Sequence, residues 1–230
     1  MNRTFKALSA VLTYPSTELQ EAIPEIRNVL KSEAIVSAPA FQAIEPLLIE
    51  FETGDIFDLQ ERYVLLFDRS RTLSLNLFEH IHGEGRDRGG AMVDLLETYR
   101  ARGFDLVATE LPDHLPVLLE FIATLSLSDA REMLADAGHI IAALAERLTR
   151  RETPYAAVLV ALSEIAEASI QTEEAQALIA EKDDDPEDLE ALDAVYEEAM
   201  VTFGPDPNAG CPVSRDILAR MDEPLRPASA

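Results

Sequence analysis

The apolar residues of this chain recur every three or four positions over most of its length. This spacing places them on one face of an α-helix, whereas a half-buried strand would alternate apolar and polar residues. No alternating stretch bounded by turn residues demands a sheet. We therefore predict a single all-α domain, a helical bundle of roughly ten helices. Representative apolar faces are formed by Leu19, Ile23, Ile26 and Leu30, by Phe41, Ile44, Leu47, Leu48 and Phe51, and by Val158, Leu159, Leu162 and Ile165.

Polar residues at the starts of these patterns predict where the helices begin. Thr17-x-x-Gln20 is a candidate capping box, and Asp58-x-x-Glu61 and Asp129-x-x-Glu132 are similar N-terminal signals. Asp185-Pro186 is typical of the first turn of a last helix. The Asp129 signal predicts one long helix that carries Leu134, Ile141, Leu144 and Leu148.

The same patterns suggest how the chain is divided. The helical domain is predicted to span residues 1–204, with an acidic loop between helices at 181–188. The proline-rich segment 205–230 is predicted to be a variable tail that contains the single cysteine, Cys211. One thiol forms no internal disulfide, which favours a reducing compartment.

Helical periodicity fails between Arg69 and Gly90. Leucines alternate at positions 73, 75 and 77, and glycines stand at 83, 85, 89 and 90. We predict an ordered loop without strand partners. Seven of the 19 basic residues lie between Arg62 and Arg102, and the arginines of this loop either pair with Asp68, Glu84 and Asp87 or bind an anionic group of a partner.

The overall charge narrows the range of partners. The chain has 43 acidic and 19 basic residues and a formal net charge of −24, and such a surface repels nucleic-acid phosphates and anionic membranes. No apolar run is long enough to cross a bilayer, and no cleavable targeting segment is visible. We expect a cytoplasmic protein that neither binds nucleic acid nor inserts into a membrane.

Histidines and carboxylates within the glycine-rich loop raise the hypothesis of a metal site. His80-x-His82 lies between Glu79 and Glu84, and Asp113-His114 offers further ligands, so a metal-dependent hydrolase that uses His80, His82, Asp113 and His114 is one hypothesis. The signal is weak, because a His-x-His pair suits a strand and the loop has no predicted strand partner. Asp113 is also a candidate N-cap of the helix that follows it.

Three stretches carry a family resemblance. Residues 63–71 (YVLLFDRSR), residues 74–89 (SLNLFEHIHGEGRDRG) with 91–96 (AMVDLL), and residues 110–116 (ELPDHLP) resemble the NarJ family of redox-enzyme maturation chaperones. The similarity extends from about Leu8 to Gly204. Departures from the family pattern are Gly85, Gly90 and Tyr196, where serine, glutamine and tryptophan are expected.

The resemblance implies an all-helical protein without catalytic activity or a cofactor of its own. NarJ-like chaperones hold the apo catalytic (alpha) subunit of respiratory nitrate reductase by its N-terminal segment. They do so until the molybdenum cofactor and an iron–sulfur cluster are inserted, and they delay docking on the membrane anchor. The proteins that synthesise the molybdenum cofactor are further candidate partners. By family motif, the residues expected to bind the partner are Tyr63, Phe67, Asp68, Arg69, Arg71, Glu79, His80, His82, Arg86, Asp87, Arg88, Glu110, Pro112, Asp113 and His114.

A plain acidic scaffold is the third hypothesis, beside the chaperone and the hydrolase. A scaffold of this kind would associate with partners through salt-sensitive charge contacts, without preference for an amphipathic segment.

Overall fold

The computed structural model describes residues 2–82, 86–106 and 110–182. The prediction of an all-α fold is confirmed, because these residues form eleven α-helices and no strand. All of them belong to one compact unit, Met1–Pro186. The helices are α1 Arg3–Val11, α2 Thr17–Glu33, α3 Ala38–Thr53, α4 Ile56–Tyr63, α5 Glu79–His82, α6 Arg86–Ala101, α7 Leu115–Ile122, α8 Leu127–Asp136, α9 Gly138–Arg150, α10 Ala156–Ile165 and α11 Glu173–Ala180.

Several predicted features lie outside the described residues. These are the helix predicted after Asp185-Pro186, most of the acidic loop 181–188, the tail 205–230 and the side chains of His82 and Arg86. The domain boundary at 204 stays a prediction for the same reason.

The predicted helix starts are displaced by one to three residues. Thr17, Asp58 and Asp129 all lie inside the first helical turn, so they are not N-caps. An N-cap residue has an extended backbone just before the first turn, where its side-chain oxygen reaches a free amide. The side chains that accept these hydrogen bonds are those of Ser16, Asp55 and Ser126, from the backbone amides of Leu19, Phe57 and Asp129 respectively.

The long helix predicted from Asp129 is two helices, α8 and α9, which are divided at Ala137. Gly138, the first residue of α9, packs tightly against Ala168, and a Cβ atom at this position would lie 3.0 Å from the Ala168 Cβ. The missing side chain allows α9 to approach the segment that follows α10. A helix was also missed, α11, whose N-cap is Thr172.

The helices pack around one continuous apolar core. Helix α1 lies between α2 and α7, helix α3 lies between α2 and α10, and α9 packs against α8, α10 and α11. Most of α9 is buried, including the charged side chain of Arg147. In the described part of the chain, no helix is both long and apolar enough to span a bilayer.

Candidate functional site

The segment that was predicted to be an isolated loop is paired with the family motif at residues 110–116. Asn76 and His114 form an antiparallel β-bridge. The amide of Leu77 donates to the carbonyl oxygen of Asp113 at 3.1 Å, and the amide of Leu115 donates to that of Leu75 at 2.8 Å. The segment forms no strand, as predicted, but it does have a backbone partner in residues 113–115, which the sequence did not predict.

The leucines of this segment are buried together with the polar residues between them. Leu73 ends a short 3-10 helix, Arg71–Leu73, and Thr72, Leu73, Ser74, Leu75 and Leu77 are all buried, so the core encloses this segment on more than one side. A short α-helix, α5, follows at Glu79–His82 and α6 begins at Arg86, so the glycine-rich part is less irregular than the sequence predicted.

Asp113 reinforces the pairing between the two motifs. Its side chain is fully buried, and its Oδ2 accepts a hydrogen bond from the amide of Phe78 at 2.9 Å. Burial raises the pKa of this carboxyl above its usual range, although the Phe78 amide and Arg88 oppose the shift. The interpretation of Asp113 as an N-cap is wrong, because His114 is the N-cap residue of α7 and the Asp113 carboxyl reaches the preceding motif instead.

Two further contacts hold α5 and α6 next to this pairing. The His80 Nε2 lies 2.8 Å from the carbonyl oxygen of Ser74, and burial lowers the pKa of this imidazole. A neutral ring that donates from Nε2 fits this contact. In α6, the hydroxyl of Tyr99 donates to the carbonyl oxygen of Pro112 at 2.8 Å. Tyr99 is the one buried residue among the side chains described for α6, so it is the main anchor of that helix.

One arginine of the glycine-rich segment forms an ion pair within the protein. Arg88 forms an internal ion pair with Glu79 at 3.0 Å, a carboxylate that was not among its predicted partners. Arg69 and Arg71 are exposed, as are Asp68 and Asp87. The internal pair joins α5 to the start of α6, while the exposed arginines lie on the surface.

The aromatic residues of the family motif at 63–71 belong to the core. Tyr63 and Phe67 are buried, with ring centroids 5.0 Å apart, and both pack against the ring of Tyr155. The hydroxyl of Tyr63 donates to the carbonyl oxygen of Leu12 at 3.0 Å, which links the end of α4 to the end of α1. Phe67 therefore acts through packing, whereas one side of Tyr63 also borders the surface cleft described next.

A cleft of about 480 Å³ opens between α1, α7 and the segment at the end of α4. Five residues of the family motifs line it, namely Tyr63, Asp68, Glu110, His114 and Pro116, and we refer to it as the acidic cleft. The sequence did not single out the other residues that line it, because they come from the end of α1 and from the first turns of α7. These are Ser9, Thr13, Tyr14, Val117 and Glu120.

His114 and Glu110 form a long ion pair in the acidic cleft. The His114 Nδ1 lies 3.8 Å from the Glu110 Oε2, and burial lowers the pKa of this histidine although Glu110 opposes the shift. Burial also raises the pKa of Asp68, and His114 opposes that shift. No lysine or arginine lines the cleft in the described part of the chain, so its charges are negative.

The hydrolase hypothesis requires several predicted ligands around one ion. In the parts of the chain that the structure describes, no three His, Cys, Asp or Glu side chains lie close enough together to hold a metal ion. The His80 ring and the Asp113 carboxyl are engaged with backbone groups instead. The described geometry therefore offers this hypothesis no support.

The hydrogen bond between the Phe78 amide and the Asp113 carboxylate is expected to stabilise the folded protein. Asp113→Ala should lower the free energy of unfolding by about 2 kcal/mol, because a buried acceptor is lost and the Phe78 amide loses its partner. Asp113→Asn keeps an oxygen of the same shape, so its loss should be clearly smaller. Urea denaturation of both variants measures the difference. Equal losses of about 1 kcal/mol in the two variants would contradict this role for the carboxyl oxygen.

Comparison with known proteins shows the family to which the chain belongs. Residues 14–161 match the family model described as nitrate reductase delta subunit. The chain is 42% identical over 212 residues to the nitrate reductase molybdenum cofactor assembly chaperone NarJ of Escherichia coli K12, covering 88% of this chain and 86% of that protein. The NarW protein of the same organism is 35% identical over 210 residues, covering 90% and 86%.

A solved structure supports the fold. The protein comes from Archaeoglobus fulgidus, is described as a candidate redox enzyme maturation protein and aligns with a TM-score of 0.53. The alignment covers 73% of this chain and 94% of the other, at 21% identity. The family match over residues 14–161 and the identity along most of the chain lead to one conclusion: the chain belongs to the nitrate reductase delta subunit family, the family of the NarJ chaperones.

Proposed function

We propose that this protein is a cytoplasmic assembly chaperone of respiratory nitrate reductase and has no catalytic activity of its own. It binds the apo catalytic subunit of the reductase through that subunit's N-terminal segment. It keeps the subunit open until the molybdenum cofactor and an iron–sulfur cluster are inserted, and only then does the enzyme dock on its membrane anchor. The observation that carries this proposal is the 42% identity to NarJ of E. coli, which extends over 212 residues.

The described geometry supports a binding function over a catalytic one. Residues of the family motifs line the cleft and form the β-bridge between Asn76 and His114. Among the described titratable groups of the motifs, His80 and Asp113 contact backbone atoms, Glu79 pairs with Arg88, and Asp68, Glu110 and His114 line the cleft. A rigid helical frame with an acidic, partly apolar cleft is suited to hold a segment of another protein.

Binding of the client segment can be measured directly. A peptide that copies the N-terminal segment of the reductase's catalytic subunit should bind with a dissociation constant between roughly micromolar and nanomolar, or about −8 to −12 kcal/mol. Because an amphipathic segment buries apolar surface, the heat-capacity change of binding should be negative. Titration calorimetry at two temperatures gives both quantities.

A scrambled peptide of the same composition is the control. It keeps the net charge of the segment and removes its amphipathic order, so its affinity should be at least tenfold lower. Equal affinity for both peptides, with binding abolished by high salt, would favour the plain acidic scaffold and contradict the proposed recognition.

A further inference from the structure

The last turn of α6 is fixed to α7 by a glycine and by aromatic rings. Gly103 has a φ angle of +82°, the left-handed conformation with which many helices end. The amide of Gly103 donates to the carbonyl oxygen of Arg100 at 2.9 Å, and the amide of Phe104 donates to that of Tyr99 at 3.0 Å. These two hydrogen bonds fold the chain back, so that Tyr99 and Phe104 both pack against Phe121 of α7.

This packing holds the ring of Tyr99 in one place. The side chain is buried, and its ring centroid lies 4.5 Å from that of Phe121. The ring of Phe104 lies perpendicular to the Phe121 ring, with centroids 5.7 Å apart. Burial raises the pKa of the Tyr99 hydroxyl well above its usual range, so the hydroxyl keeps its proton and remains a hydrogen-bond donor.

The hydroxyl of Tyr99 reaches the backbone of the family motif at 110–116. It donates to the carbonyl oxygen of Pro112 at 2.8 Å, and this bond is buried. A buried carbonyl group without a partner costs free energy, so the bond favours this position of the chain. Because a peptide group is planar, a bond to the Pro112 carbonyl also sets the orientation of the Asp113 amide. Tyr99 therefore fixes one peptide plane inside the motif.

The residues that follow this peptide plane are held by a second element. The carbonyl oxygen of Asp113 accepts a hydrogen bond from the Leu77 amide, and the Leu115 amide donates to the carbonyl oxygen of Leu75. His114 lies between these two bonds, is the N-cap residue of α7 and lines the acidic cleft. The backbone of His114 is thus fixed by the pairing on both sides of it and by the Tyr99 bond two residues earlier.

We infer that Tyr99 is a positioning residue of this site, whose hydroxyl holds the Pro112–Asp113 peptide group and thereby keeps the His114 side chain in place at the acidic cleft. A contact between His114 and the client rests on the proposed function. The control of the His114 position by Tyr99 rests on the contacts described above. Tyr99 lies outside the set of residues that the family motifs indicated for partner binding.

The variant Tyr99→Phe tests this inference, because it keeps the ring and its packing and removes only the hydroxyl. The imidazole signals of His114 are followed by NMR over a pH titration without peptide, and they are assigned by their absence in His114→Gln. In the unaltered protein burial lowers the pKa of this imidazole, against the opposing effects of Glu110, Asp113 and Asp68. Without the hydroxyl the segment moves more freely and water reaches the ring, so the pKa of His114 should rise toward the ordinary value of a histidine.

Binding of the client peptide is the second measurement. A segment that moves in the free protein has to be ordered again when the peptide binds, which lowers the affinity. Titration calorimetry should show that Tyr99→Phe binds the peptide roughly threefold to tenfold more weakly, the factor that corresponds to the net contribution of one hydrogen bond.

Two control variants separate this effect from a general loss of stability. Tyr155→Phe makes the same chemical change at a buried tyrosine whose hydroxyl has no hydrogen-bond partner in the described part of the chain. Thr172→Ala removes the N-cap of α11, whose hydroxyl accepts a hydrogen bond from the Ala175 amide at 3.2 Å, and should lower the urea midpoint about as much as Tyr99→Phe. Both controls should leave the pKa of His114 and the affinity for the peptide unchanged.

A His114 pKa that is unchanged or lower in Tyr99→Phe would overturn the inference, because the imidazole would then keep its place without the hydroxyl. An equal rise of this pKa in Thr172→Ala would also overturn it, since general loosening would explain the effect. A raised pKa with unchanged peptide affinity would contradict a role of Tyr99 in binding. Failure of the peptide to bind the unaltered protein would instead contradict the proposed function, and the pKa measurement, which needs no peptide, would still decide whether Tyr99 positions His114.

Discussion

Replacing Arg147 with leucine should lower the free energy of unfolding by roughly 3 kcal/mol, more than the loss expected for Asp113→Ala. The Arg147 side chain is 1% exposed. Its Nη1 donates to the carbonyl oxygen of Thr72 at 2.6 Å, and its Nη2 donates to that of Leu178. The Glu181 carboxylate lies 3.5 Å from Nη2.

The expected loss follows from the position of these contacts. Arg147 joins α9 to the turn before the β-bridge and to the end of α11. Hydrogen bonds from a charged donor contribute about 1.5–3 kcal/mol each. Leucine fills much of the apolar volume but leaves both carbonyl groups without this donor. The weakened turn also leads directly into the paired motifs, so the substitution should loosen the site as well as the core.

Arg150→Leu is the matched control, because it makes the same chemical change one turn further along α9. Arg150 is half exposed and pairs with Glu146 across one helical turn. An exposed pair of this kind contributes only about 0.3–0.5 kcal/mol. Urea denaturation measures the free energy of unfolding of both variants. Similar decreases in Arg147→Leu and Arg150→Leu would show that the buried contacts of Arg147 do not stabilise the fold.

Helical periodicity predicted most of this fold, because each helix buries a stripe of large apolar residues. Periodicity did not predict the structure where burial depends on residues far away in the chain or on small side chains. Leu144 and Leu148 mark the buried face of α9, and Arg147 lies beside them, but its carbonyl partners are 75 and 31 residues away in the chain. Helix α11 was missed because its face toward the core begins with Ala175, a side chain too small to give a clear pattern.

The boundaries were less predictable than the helices themselves. Ser16 and Thr17 are both good capping residues, and only the extended backbone of Ser16 decides between them. The break between α8 and α9 lies at Ala137, directly before Gly138, whose close contact with Ala168 the local sequence does not reveal.

Of the residues that the family resemblance indicated, Tyr63, Asp68, Glu110 and His114 line one cleft, an arrangement that the resemblance did not reveal. The segment with Leu73, Leu75 and Leu77 was predicted to be a loop without partners, yet its residue Asn76 pairs with His114 in the motif at 110–116. Tyr14 lies 49 positions before Tyr63, and no local pattern connects them before the bundle brings their rings together. The cleft therefore became visible only in three dimensions, because its walls come from separate helices.

The role in assembly predicts a specific defect in cells that lack this protein. If the chaperone keeps the apo catalytic subunit open for loading, its absence should leave the reductase polypeptide present but inactive. The missing component should be the molybdenum cofactor, because the polypeptide itself is still synthesised. We expect almost complete loss of nitrate reductase activity, which makes this the largest functional effect that we predict. Restoring the gene should restore activity.

The measurement that tests this account most directly is the number of molybdenum atoms per catalytic subunit. The reductase would be purified from wild-type cells, from cells that lack this protein and from the complemented strain, and metal content would be compared with polypeptide amount. The account predicts near-full occupancy in the wild-type and complemented strains and very low occupancy in the deletion strain. Full molybdenum occupancy in the deletion strain would contradict the proposed role in assembly, even if the client peptide binds tightly.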